Sequence, residues 1–213
     1  MRILKDMRKK LKSKRGFTLV EMLAALLVVV MMSLMMSVGA SVGAQVQREA
    51  TFVAESDILA STLNTAVGDM LRYSVIKPVD DVDTTNAMTT EDESGVKKSC
   101  LFDNDSYGIV GGKILLNSYT DSKGRVADRV AVFYQKTELI EDPVTHVKEP
   151  SAPVDKTHYL VSHGIYTTLI VKNFKVEYNA TNATFHLTYT IKESDRDTAL
   201  TKKVDTYFRA AND

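Results

Sequence analysis

Chemistry in this chain must start from Glu21. It is the only charged side chain between Arg15 and Arg48, and apolar residues fill most of that interval. A carboxylate within a hydrophobic helix of membrane length is costly unless a cation or hydrogen-bond donors answer it. Met22–Ala44 holds no cation. The partner of the acid is therefore expected on another chain. The remaining candidates are weaker. His146, His158, His163 and His186 show no metal-ligand spacing, and His158 and His163, five apart on strand-like sequence, fall on opposite faces. No His-Glu-x-x-His, nucleophile elbow or phosphate-binding glycine loop occurs. No catalytic residue, metal or cofactor is expected, and the chain does not read as an enzyme.

Charge and cysteine content narrow the classes further. The chain has 213 residues and a formal net charge of zero. Arg2, Lys5, Arg8, Lys9, Lys10, Lys12, Lys14 and Arg15 crowd the first 16 residues against Asp6 alone. Without that stretch, 19 of the 27 basic and 26 of the 27 acidic residues remain, a formal charge of −7. Such a body does not bind nucleic acid through a general basic field. Cys100 is the single cysteine, which excludes an intrachain disulfide and suits a small buried apolar side chain.

The elements that position Glu21 begin with the run Met22–Ala44, 23 uncharged residues. At about 1.5 Å per residue it extends roughly 34 Å, enough for the ~30 Å hydrocarbon core. Eight cations before it predict a cytoplasmic leader and an exported body. Three readings compete. A cleavable signal peptide would use Val42-Gly43-Ala44 before Gln45, but the apolar run exceeds the usual 7–15 residues. A plain signal anchor explains length and polarity and leaves Glu21 without a role. A filament helix accounts for all three features.

Lys14-Arg15-Gly16-Phe17-Thr18-Leu19-Val20-Glu21 resembles the processing site of type IV prepilins and pseudopilins. The resemblance covers about the first 45 residues. It implies cleavage between Gly16 and Phe17 by a membrane prepilin peptidase, which also N-methylates Phe17. It further implies that Glu21 pairs with the Phe17 amino group of a neighbouring subunit. Many pilins have a helix-bending proline about 22 residues after the cut; Val38 stands there here, followed by Gly39 and Gly43. Glycine breaks a helix less strongly than proline, about 1 against 3 kcal/mol. The alternative to one long helix is two, parted near Gly39–Gly43.

Beyond the span, Val46, Val53, Leu59/Ala60, Leu63, Val67 and Met70/Leu71 recur at helical spacing, with charges away from that stripe. No proline precedes Pro78, so Phe17 to about Tyr73 reads as one helix. Residues 78–95 carry Asp80, Asp81, Asp83, Glu91, Asp92 and Glu93 with no cation, which predicts a solvated loop. From Lys98 onward strands and turns follow: Gly111-Gly112 as a hairpin turn, then Arg125–Lys136, Tyr159–Ser162, Ile165–Lys172, Phe174–Tyr178, Thr184–Lys192 and Lys203–Arg209. Asn179–Ala183 reads as a hairpin turn, and Glu141–Lys156, with three prolines, as an exposed insertion.

The fold expected is α+β: a long N-terminal helix, hydrophobic first and amphipathic second, packed on a C-terminal antiparallel β-sheet. Its divisions are a cleaved leader, 1–16; a transmembrane or filament-core helix, 17–44; an amphipathic helix, 45–77; and a globular sheet domain, 78–213. The function expected is that of a structural subunit, minor by its large body, of a type IV pilus, competence pilus or type II secretion pseudopilus. The other class is an exported, membrane-anchored or secreted binding or adhesin domain. Partners on the first reading are other pilin subunits, prepilin peptidase and the cytoplasmic membrane, with no small-molecule substrate. The body would face outward from a single-pass membrane protein and then join a surface filament.

Overall fold

The computed structural model describes residues 18–79, 83, 85–91, 96–120, 124, 126–136, 139–141, 148–150, 153–161, 168–193 and 199–211. One helix, α1 (Leu19–Arg72), runs unbroken for 54 residues. Its ends fall within two residues of the Phe17–Tyr73 expectation, and Gly39 and Gly43 do not interrupt it. Two isolated glycines cost helix propensity without removing a hydrogen bond, so the flanking turns carry the helix through.

Residues 1–50 and 51–213 form two compact units. In the first, every described side chain from Thr18 to Gln47 is exposed, although the stretch is almost entirely apolar. Ser33 and Ser41 are the polar exceptions with the clearest accommodation. Each donates its hydroxyl back along the helix, to the Val29 and Val38 carbonyls at 2.9 and 2.8 Å. Both donors are thereby satisfied without water.

In the second unit α1 becomes one-sided. Phe52, Ser56, Leu59, Ala60, Leu63, Val67, Met70 and Leu71 are buried. The expected stripe is displaced at its start: Val46 and Val53 stay exposed, and Phe52 and Ser56 take the inner positions. Steps of three and four from Leu59 reach residues 56 and 52, and Val53 lies one residue, about 100°, off that line.

The buried face lies on a curled, antiparallel-rich sheet, an α+β arrangement. The sheet is formed by β1 (Val75–Pro78), β2 (Met88–Glu91), β3 (Lys97–Asn104), β4 (Ile109–Thr120), β5 (Val126–Lys136), β8 (Val154–Tyr159), β9 (Leu169–Asn179), β10 (Thr184–Glu193) and β11 (Thr201–Arg209). A separate pair joins β6 (Leu139–Glu141) to β7 (Lys148–Pro150). The order is β11-β10-β9-β2-β3-β4-β5-β8, with β1 also on β3. Alternation is strict where it was legible: Phe185, Leu187, Tyr189 and Ile191 are buried, and the residues between them are not. Phe185 lies between Tyr178 and Phe208, its ring 4.8 and 5.1 Å from theirs.

Four expectations are corrected. Segment 78–95 is not a loop throughout, because β2 inserts there between β3 and β9. Its pairing with β9 is parallel, so the sheet is not purely antiparallel. Ile165–Lys172 and Phe174–Tyr178 were read as separate strands, yet residues 169–179 form one. Asn173 sits at φ 54 opposite a register shift between Thr188 and Thr190, a bulge that inverted the apparent alternation. The Glu141–Lys156 insertion contains β7 and the first residues of β8. Finally, Gly111-Gly112 is no turn. Both glycines lie inside β4 at a bulge, and the hairpin from β3 turns instead through a short 3-10 segment at Asp105–Tyr107. A Cβ on Gly112 would stand 2.7 Å from Ile109 Cγ2 and from Phe102 Cζ, so the position requires glycine for closeness. The Asn179–Ala183 turn is as expected: Asn179 Oδ1 accepts from the Thr181 and Asn182 amides at 2.9 and 3.4 Å.

Candidate functional site

The site grows from the first turn of α1. A helix start leaves four backbone N–H groups unsatisfied and a partial positive charge at its end. Thr18 stands just before Leu19, and Glu21 lies three residues on. The Glu21 amide donates to Thr18 Oγ1 at 3.3 Å, while Glu21 Oε2 accepts from the Thr18 amide at 3.0 Å and from the Thr18 hydroxyl at 3.1 Å. This reciprocal pair is a capping box. Thr18 thus supplies the carboxylate with two donors from within its own chain. The signal was present in the sequence as Thr18-Leu-Val-Glu21. A lone carboxylate calls first for a cation, yet a hydroxyl and an amide answer it here.

Gly16 and Phe17 lie outside the described residues. Downstream, α1 is long and apolar enough to cross a membrane. Met31, Met32, Met35 and Met36 are among its exposed side chains, each more than half accessible. The arrangement presents one acid, at the extreme start of the helix, above an apolar cylinder that shields nothing of itself.

The rest of the molecule places the second half of this helix. Tyr189 donates its hydroxyl to the Ala60 carbonyl at 3.2 Å and to Asn64 Oδ1 at 2.9 Å, and Asn64 Nδ2 donates to Thr206 Oγ1 at 3.3 Å. At the helix end, buried Asn104 donates to the Met70 carbonyl at 2.6 Å, and the Ala211 amide donates to the Arg72 carbonyl at 2.6 Å. Terminal helix carbonyls, which have no partners inside α1, are thus met by the sheet and the C-terminal segment. Lys202 pairs with Asp57, and Thr168 donates to Glu55. None of these anchors was singled out from sequence. Pairs separated by 34 to 145 positions leave no local pattern.

His186 and Asp83 of the body are engaged structurally. His186 Nε2 lies 2.9 Å from Asp205 Oδ1, and its ring stacks on Tyr207 with centroids 4.2 Å apart. His158 is exposed, and His146 and His163 lie outside the described residues. In the acid-rich segment, the ammonium of Lys113, 2.8 Å away, and the Thr85 hydroxyl and amide hold Asp83 well below the usual carboxylate range. Among the described residues no group of three or more His, Cys, Asp or Glu is gathered as a metal would require. Cys100 is fully buried, and burial pushes its thiol up to about 12.

The chain thus combines a capped, acid-bearing helix, long and apolar enough to cross a membrane, with an α+β body. Residues 11–37 match the family model described as the prokaryotic N-terminal methylation motif, so the chain carries the type IV prepilin-type signature. The match takes in the end of the basic leader, Gly16, Phe17, the capping box and the first half of the apolar run. No curated protein and no solved structure matches the chain.

Proposed function

We propose that this protein is a structural subunit, a minor one by its large body, of a type IV pilus, a competence pilus or a type II secretion pseudopilus. Prepilin peptidase cuts between Gly16 and Phe17 and methylates the new Phe17 amine. Until assembly the chain is held in the cytoplasmic membrane by the first half of α1, with the sheet body outside. It then enters a filament with other pilin-type subunits, where the Glu21 carboxylate exchanges its Thr18 donors for the Phe17 amine of a neighbour. That exchange removes two lone charges from an apolar bundle at once and fixes axial register.

One observation carries the reading: the methylation motif at residues 11–37 includes the only acid of the apolar helix. The capping box supports it, because it keeps that acid hydrogen-bonded without neutralising its charge. Intact mass and N-terminal analysis of the protein from cells holding the peptidase tests it. Methylated Phe17 is the expected terminus. A chain beginning at Gln45 would make the body a secreted binding domain, and retention of residues 1–16 would make it a plain anchored one.

A further inference from the structure

The apolar half of α1 contains an internal repeat. Residues 31–46 read Met-Met-Ser-Leu, Met-Met-Ser-Val, Gly-Ala-Ser-Val and Gly-Ala-Gln-Val, four blocks of four. All of them lie within α1 and are exposed. A step of four advances about 6 Å along an α-helix and turns about 40° beyond a full revolution. Equivalent residues therefore stack into ridges, the features that neighbouring helices interleave. One ridge is Met31-Met35-Gly39-Gly43, and another is Ser33-Ser37-Ser41-Gln45. At about 100° per residue, Glu21 lies within about 80° of every member of the first ridge and at least about 120° from every member of the second. Leu19, Leu23, Leu26, Leu27 and Leu34 fall on the serine side as well. The Ser33 and Ser41 hydroxyls already donate to carbonyls of their own helix and ask nothing of a neighbour. The side that bears the acid is the costly one to turn toward lipid.

We propose that the ridge Met31-Met35-Gly39-Gly43 docks a second copy of the chain displaced by one block along the helix, an inference that rests on the filament reading. Phe17 and Glu21 stand four positions apart, the same step as the repeat. The offset that brings Glu21 beside the Phe17 amine of the next copy also brings Met35 beside its Met31, Gly39 beside its Met35 and Gly43 beside its Gly39. A flexible thioether fills the gap left at Gly39, and two glycines at Gly43 let the backbones approach. Lipid is a poorer occupant. Any apolar side chain would serve it, and it gives no reason for glycines that weaken helix propensity or for a repeat that keeps step with the acid. The ridge alone would also accept an offset of two blocks. Glu21 occurs once and selects one block, so the repeat supplies contact and the acid supplies register. Such a contact is heterologous and extends into a helical array unless its rotation closes. It requires adjacent copies, so it opposes the form of the minor-subunit reading in which one copy occupies each filament.

The test uses two differently tagged copies of the full-length chain made together in the producing cell. One carries Met35→Cys and the other Met31→Cys, and the membrane and filament fractions are oxidised. Cys100 is fully buried and stays out of the reaction. The mixed disulfide should exceed about tenfold that of a Ser33→Cys and Ser37→Cys pair, which has the same step on the opposite side. It should also exceed that of Met35→Cys in both copies, which lacks the offset. In a second measurement, Gly39→Leu with Gly43→Leu lowers the assembled fraction about tenfold at unchanged membrane level, whereas Ser33→Leu with Ser37→Leu leaves it unchanged. Equal disulfide yields on the two sides, a stronger product without the offset, or full assembly of the glycine variant each overturn the proposal. Capture of residue 35 only by chains of another sequence overturns the second copy as occupant. Methylated Phe17 is read in every arm. Its presence without the mixed disulfide sinks this contact alone, and its absence sinks the filament reading.

Discussion

The two halves of α1 follow opposite rules within one helix. From Leu19 to Gln47 the chain is apolar almost throughout and exposed at every position; from Phe52 to Leu71 it is one-sided, with Phe52, Leu59, Leu63, Val67, Met70 and Leu71 covered. Leu27 is 59% exposed and Leu63 is 0% exposed. Composition alone does not separate these leucines. What separates them is whether the same chain supplies the cover. For the second half the sheet does so, and for the first half no described residue does.

The comparison breaks most sharply at Glu21. Glu21→Ala should leave export and cleavage intact and reduce incorporation into filaments by more than about tenfold, since a buried amine would then face no acid. Immunoblots of sheared filament and membrane fractions read this directly. Equal incorporation would refute the pairing role. Next comes the contrast of leucines. Leu63→Ala should destabilise the folded body by about 2–5 kcal/mol, and Leu27→Ala should change it by less than about 0.5 kcal/mol. Urea unfolding of the detergent-solubilised chain gives both values, and similar losses at the two sites would erase the distinction drawn above.

Gly112→Ala should cost about 1–3 kcal/mol in the same assay, because the added methyl meets Ile109 and the Phe102 ring at 2.7 Å. Gly39→Ala, with nothing within 4 Å of its added carbon, should not destabilise the body. The smallest effect is acidic. Asp83 is lowered by Lys113 and Thr85; Asp128 is lowered by Lys172 and Ser118 against burial. Burial raises Asp103, but Lys77 and the Gly111 amide outweigh it and leave it lowered. Depressed native values mean that these carboxylates stabilise the body above the ordinary aspartate range, near pH 4, and that the contribution is lost as pH falls through the native values. The rate of Cys100 labelling reports opening, since its thiol is buried and pushed up to about 12. Unfolding in urea at pH 3, followed by labelling at neutral pH, should give a lower midpoint than at pH 7. Lys113→Met should flatten that dependence.

How far the sequence could be read follows from the range of each interaction. The apolar span, the helix through Arg72 and the alternation of β10 and β11 are local patterns, and they were legible. Gly111-Gly112 was misread because a pair of glycines serves a bulge as well as a turn, and only the Phe102 ring across the ladder decides between them. β2 was missed because four residues within an acid-rich stretch show no usable period, and both its partners lie elsewhere in the chain. At the start of α1, Glu21 stands out by its charge and its Thr18 cap does not. Thr18 is ordinary in isolation and becomes a cap only when Leu19 begins a helix.

Tyr189 reaches Ala60 across 129 positions, and the Ala211 amide closes the carbonyl of Arg72. The apolar face of α1 from Phe52 to Leu71 therefore stays bare until the last strands arrive. The body cannot close over that face until synthesis of the chain is nearly finished. Contacts of such long range also slow folding. Until then the same face is open to unwanted association with other chains.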